Sequence, residues 1–130
     1  MKTEIETAQQ YIQAVQAGEQ AALAGLLSPE LVWHQPGKNR FSGTHKGAQA
    51  VGAMIGEMMA VSNGTFAITR AHRYMANGSW VTVEIEFEGR RDGAAMSQHG
   101  IDLLRIEGGK IVEARLFSSD PEQEDAFWGR

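Results

Sequence analysis

Cysteine is absent from the 130 residues, so disulfide staples, thiolate nucleophiles and thiolate metal sites are all excluded. No secretory leader is expected either. Met1-Lys2-Thr3-Glu4-Ile5-Glu6 turns acidic and amphipathic at once, with no positive segment leading into an apolar stretch. No apolar run is long enough to cross a bilayer, so the expectation is a cytoplasmic chain without a membrane partner. Basic residues are in deficit, with 12 Lys and Arg against 16 Asp and Glu for a net charge of -4. They are also scattered, which argues against nucleic acid as a partner. The four histidines, His34, His45, His72 and His99, show neither helical i, i+4 spacing nor short loop spacing. No metal and no other cofactor is therefore expected.

What is present suffices for one domain over residues 1–130 with its own core. Ile5, Ala8, Ile12 and Val15 recur at spacings of three and four with Tyr11 beside them, predicting a first amphipathic helix that Gly18 ends. Leu23, Leu26 and Leu27 form a second short apolar face, closed by Ser28-Pro29. A strand from about Leu31 to Gln35 follows, then a loop from Pro36 to Gly43. Val51, Met54, Ile55, Met58 and Met59 make a third helical stripe with Ser62-Asn63-Gly64 as its stop.

From Thr65 to Ser118 the hydrophobic period becomes two. Asn77-Gly78, Arg91-Asp92-Gly93 and Gly108-Gly109 separate the runs as tight turns. No segment between them has room for a crossover helix, so four strands should form an antiparallel meander, and the early strand makes about five. Such long strands must twist, and three helices can cover one face, predicting an α+β fold with a cone-shaped curved sheet and a short C-terminal helix. Val81, Val83, Ile85 and Phe87 alternate with Thr82, Glu84, Glu86 and Glu88. In the next strand Met96, Asp102, Leu104 and Ile106 share one face while His99, Ile101, Leu103 and Arg105 take the other. Two partly apolar faces call for two covers: helices on one and, as a further expectation, a second copy of the chain on the other. Scattered surface apolars are the rival explanation.

The order helix, Gly-Glu, helix, Leu31-Val32-Trp33-His34-Gln35-Pro36-Gly37, then Gly43-Thr44-His45-Lys46-Gly47 opening a helix, Ile101-Asp102-Leu103-Leu104-Arg105-Ile106, Gly109-Lys110-Ile111-Val112-Glu113 and Asp125-Ala126-Phe127-Trp128 resembles the SnoaL-like branch of the nuclear transport factor 2-like superfamily. The resemblance spans nearly the whole chain. It implies a cystatin-like cone, usually dimeric, whose interior holds a small apolar molecule. Named activities in the superfamily include ketosteroid isomerases, polyketide cyclases, scytalone dehydratase and limonene-epoxide hydrolase, so the fold leaves the chemistry open.

Asp102 is the position with most chemical content. A carboxyl on an apolar face has its pKa raised and, while neutral, donates a hydrogen bond. By the resemblance, Asp102 and Tyr11 match the acid and first-helix tyrosine with which the isomerases stabilise an enolate. A satisfied internal acid with no substrate is the competing reading. The match breaks at the base: the isomerases carry an aspartate before the proline that ends the first strand, where this chain has Gln35, and an amide carries no proton near neutral pH.

The candidates for the missing proton carrier are Asp120, His34 and, completing the set of usable imidazoles, His45 and His99. Asp120 resembles the acid/base of the polyketide cyclases near the end of the last strand, but Asp120-Pro121-Glu122 also reads as a helix N-cap. His34 has a suitable intrinsic pKa, yet strict alternation puts Trp33 and Gln35 on one face and His34 on the other. Ser118 and Ser119 lack the flanking glycines of a nucleophile elbow. His72, between Arg70 and Arg73, reads as surface, and the Gly43 to Gly47 run as chain reversal. Trp33, Gln35, Val83, Ile85, Gln98, Leu104, Leu116, Phe127 and Trp128 are the expected pocket lining. Phe127 and Trp128 should fold back from the C-terminal helix onto the cone opening, and Phe117 should be core.

Two functions fit these residues. One is a cofactor-independent isomerase, cyclase or lyase acting on a small apolar carbonyl compound, with Asp102 and Tyr11 on the oxygen and Asp120 or His34 moving the proton. The other is a non-catalytic homodimer that uses the same cavity. Convergence of two titratable groups on one space separates them.

Overall fold

The computed structural model describes residues 2–130. Helix α1 (Glu4–Ala17) opens with a capping box between Thr3 and Glu6 and stops at Gly18, whose φ of 68° is left-handed. It is followed by α2 (Gln20–Leu26), β1 (Leu27–Gln35), β2 (Gly43–Lys46), α3 (Ala48–Val61), β3 (Ala67–Asn77), β4 (Trp80–Arg91), β5 (Ala94–Glu107), β6 (Lys110–Ser118) and α4 (Pro121–Trp128). No helix among the described residues is long and apolar enough to cross a membrane.

The strands form one open curved sheet in the order β2-β1-β6-β5-β4-β3. β3 to β6 are the expected antiparallel meander, and Gly78, Gly93, Gly108 and Gly109 take positive φ at its turns. Three details differ from the sequence pattern. Among the described residues there are six strands instead of about five, because Gly43–Lys46 pairs antiparallel with β1 (Trp33 opposite His45) where the sequence suggested a chain reversal before a helix. The sheet is also not wholly antiparallel: β1 lies parallel to β6, with Trp33 beside Ala114. Finally, Ser28-Pro29 does not lie outside the strand but within irregular β1, where the β1–β6 register shifts between Leu27 and Val32. A proline is tolerated there because the ladder is already interrupted.

Helices α1 and α3 pack on one face, α1 over β3 to β5 and α3 over β1 and β2. That face carries the core: Leu31, Trp33, Val81, Val83, Ile85, Phe87, Met96, Leu104, Ile106, Ile111 and Ala114 are all buried. The outer face keeps its acids and the exposed apolar residues Met75 (54%), Ile101 (40%) and Phe117 (48%). Phe117 is thus not core as expected. It follows Leu116 on β6, and period-two alternation gives it the solvent side, outweighing its aromatic character.

α4 closes one end of the sheet. Trp128 packs edge-on against Phe41 (5.1 Å), Phe66 (5.3 Å) and Phe127 (4.8 Å). The loop after β1 clasps the helix: Lys38 N and Asn39 Nδ2 both donate to Asp125 Oδ1, and Arg40 N donates to Gly129 O. Phe127 lies so close to β4 that a Cβ at Gly89 would fall 2.9 Å from its ring, which accounts for a glycine inside that strand.

Candidate active site

Asp102 sits in the middle of β5 on the covered face, opposite Val83 on β4 and Leu116 on β6. It is 2% exposed, and burial alone lifts its carboxyl from 3.8 to about 7. Tyr11, on the sheet-facing side of α1, is 3% exposed, and its phenol is pushed well above 10 by burial and then by the charge of Asp102. The helix thus brings a phenol over the strand that holds the acid, and the two feel each other electrostatically.

Extending the β1–β6 register one step past the His34–Arg115 pair puts Gln35 beside Leu116. A transverse row therefore runs Gln35, Leu116, Asp102, Val83 across the inner face. Trp33 Nε1 donates to Gln35 Oε1 at 2.9 Å, both side chains being buried. An indole N–H is only a donor, so the amide oxygen must face it and the NH2 group must turn the other way.

The Asp102 carboxyl, the Tyr11 hydroxyl and the Gln35 NH2 have no hydrogen-bonding partner among the described residues. Every fully occluded side-chain nitrogen or oxygen does have one. These three groups are therefore nearly buried without being fully occluded, whereas the fully occluded polar atoms among the described residues are all satisfied. A neutral acid, a phenol and an amide NH2 are all donors, so the arrangement suits a carbonyl or enolate oxygen.

The other expected residues lie elsewhere. His34 is on the outer face, with Nε2 2.9 Å from Glu113 Oε2 and Nδ1 3.2 Å from Thr44 Oγ1. That contact holds the Glu113 carboxyl below its usual range. Asp120 is exposed and caps α4, accepting from Gln123 N at 3.1 Å. Gln98 is fully engaged with the same helix start: Asp120 N donates to its Oε1 at 2.9 Å, and its Nε2 donates to Asp120 O and Gln123 Oε1. Val83, Ile85, Leu104, Phe127 and Trp128 are buried, and Leu116 is half-buried. Two hollows of about 420 and 600 Å³ lie outside this row, one between α1 and α2 and one on the outer face.

One buried acid escaped the sequence argument. Glu124 accepts from Ser118 Oγ and from Trp128 Nε1, and burial raises its carboxyl. Its i, i+4 spacing to Trp128 was the readable signal. It is tied to α4 and its charge does not act on Asp102.

Residues 8–114 match the family model described as SnoaL-like domain. A Xanthomonas campestris protein of unknown function with a cystatin-like fold is 57% identical, with a TM-score of 0.97 over 99% of this chain and 100% of that one. An uncharacterized protein of Mycobacterium tuberculosis is 26% identical over 111 residues, 85% of each chain. TerC, co-crystallized with polyporic acid, shares the fold at 14% identity, with a TM-score of 0.82 over 97% of this chain and 98% of its own.

Proposed function

The chain belongs to the SnoaL-like domain family, and we propose that it catalyses proton transfer next to the carbonyl group of a small, mainly apolar compound. The observation that carries this reading is that three nearly buried polar groups without a hydrogen-bonding partner, the Asp102 carboxyl, the Tyr11 hydroxyl and the Gln35 NH2, lie on one otherwise apolar face, Asp102 and Gln35 in one transverse row and Tyr11 on the helix that covers it. Tyr11 Oη and Gln35 Nε2 hold the carbonyl oxygen. Asp102 takes the proton from the adjacent carbon, the C–H electron pair moves into the enolate, and the proton returns to carbon at the same or a conjugated position. With its carboxyl near 7, Asp102 serves as acid and base in turn. His34 and Asp120 take no part, since neither shares its space. That TerC, of the same fold, was co-crystallized with polyporic acid supports a small-molecule occupant.

The partner we propose is a second copy of the chain on the outer face. Ile101 and Phe117 stand directly opposite one another there. Beside them the row Glu84, Glu86 and Glu88 is flanked on β3 by Arg70 and Arg73, a mixed-charge surface able to complement itself.

Deuterium uptake from D2O into 2-tetralone, a bicyclic ketone with enolisable C–H bonds, tests the catalytic reading. The expected result is exchange above the buffer rate, rising with pH through about 7 as the Asp102 carboxylate forms, and abolished by Asp102→Asn. Binding of 2-naphthol, the planar analogue of the enol, with exchange at the background rate would establish the non-catalytic alternative instead.

A further inference from the structure

Tyr74 extends the row that contains Asp102. It pairs with Val83, and Val83 pairs with Asp102, so phenol and carboxyl face the same side two strands apart. At ~4.8 Å per strand their backbones are separated by roughly 10 Å. No direct hydrogen bond joins the two groups. The Asp102 charge nevertheless acts on the phenol, whose acidity is lowered first by burial and then by that charge.

Tyr74 differs from Tyr11 in its surroundings. It lies on the edge strand β3 and is half-buried, as are Ile68 and Ala71 on the same face. Its hydroxyl has no protein partner among the described residues. It is thus a polar tip beside half-buried apolar residues, at the opposite end of the row from Gln35.

We infer that Tyr74 is a specificity-determining residue that binds a second oxygen of the ligand, which makes the favoured class a flat apolar compound with oxygen functions at both ends. This rests on the reading of Tyr11 and Gln35 as the holders of the first oxygen, with Asp102 beside it. A mono-ketone of equal size leaves the Tyr74 hydroxyl without a protein or ligand partner. A compound with two oxygens satisfies it. One neutral hydrogen bond corresponds to a preference of about fivefold.

The test compares 2-naphthol with 2,6-dihydroxynaphthalene by calorimetry, on the wild-type chain and on Tyr74→Phe and Tyr74→Met. The expected result is about fivefold tighter binding of the diol by wild type, a preference that falls to unity in both variants. Circular dichroism checks that each variant is folded, and the wild-type ratio needs no variant at all. Equal affinity of wild type for the two probes, or a preference that survives in a folded variant, overturns the role of Tyr74 while leaving the first-oxygen site standing. If wild type binds neither probe, or Gln35→Leu and Tyr11→Phe bind 2-naphthol as well as wild type, the site reading itself falls and this inference with it.

Discussion

The Trp33 indole N–H donates to the Gln35 amide oxygen at 2.9 Å, and this one bond decides which end of the amide the interior meets. In the resembling isomerases a base occupies the position of Gln35. Here the side chain is held as a donor, so in the proposed mechanism the same place on the strand serves oxygen binding and not proton removal. The proposed proton chemistry then falls to Asp102, the one carboxyl in the row.

Gln35→Leu removes both ends of that arrangement. The indole N–H loses its acceptor in a buried site, at about 1–3 kcal/mol of stability. The inward NH2 also disappears, and 2-naphthol affinity should fall by about fivefold. Urea denaturation and calorimetry read the two effects separately. Unchanged affinity with lowered stability would make Gln35 a structural partner of Trp33 alone.

Asp102 also sets a pH dependence of stability. Its carboxyl ionises near 3.8 when unfolded and near 7 when folded. Below 3.8 both states are protonated and burial carries no ionic penalty. As pH rises toward 7 the unfolded chain loses its proton first, so stability falls, and above 7 the loss is complete at roughly 4 kcal/mol. Asp102→Asn lacks this proton. The variant should therefore match wild type near pH 4 and exceed it at pH 8, with the gap opening between those values. Other titrating groups, Glu124 included, are common to both proteins and cancel in the difference. Parallel curves from pH 4 to 8 would mean that the folded carboxyl is not desolvated as its burial indicates.

The meander, the helical stripes and the burial of Asp102 were legible in the sequence because each rests on local periodicity and turn chemistry. β2 was not. Gly43–Lys46 is four residues long and owes its strand form to pairing with β1, a contact that leaves no mark on its own pattern. The parallel β1–β6 neighbourhood was hidden for the same reason, and with it the adjacency of Gln35 to Leu116 and Asp102. Tyr74 was missed because β3 has register shifts between Ile68 and Arg70 and between Ala71 and Tyr74. These spoil simple alternation, so the inward face of that strand emerges only from its partner.

Assembly through the outer face predicts a sharp response at Phe117. It is 48% exposed and faces Ile101 across the β5–β6 ladder. A lysine there would place a hydrated charge inside the apolar contact without touching the core. Phe117→Lys should convert a dimer to a monomer in sedimentation experiments while leaving the melting temperature of the monomer fold nearly unchanged. A wild-type chain that sediments as a monomer at micromolar concentration would remove the partner from the account.

Asp120 separates capping from catalysis in a single substitution. Its carboxyl accepts from Gln123 N, Pro121 takes the first helical position, and Gln98 braces the same turn through the Asp120 backbone. Asp120→Ala should cost about 1 kcal/mol, the usual loss at an N-cap, and Asp120→Asn or Ser should restore most of it, since either side chain supplies the acceptor. Deuterium exchange into 2-tetralone by the folded alanine variant should stay within about twofold of wild type, because Asp120 is exposed and lies outside the row of Gln35, Leu116 and Asp102. If alanine and asparagine both abolished exchange while the stability of the asparagine variant was normal, the acid at the end of the last strand would be the proton carrier, and Asp102 would revert to a buried structural group.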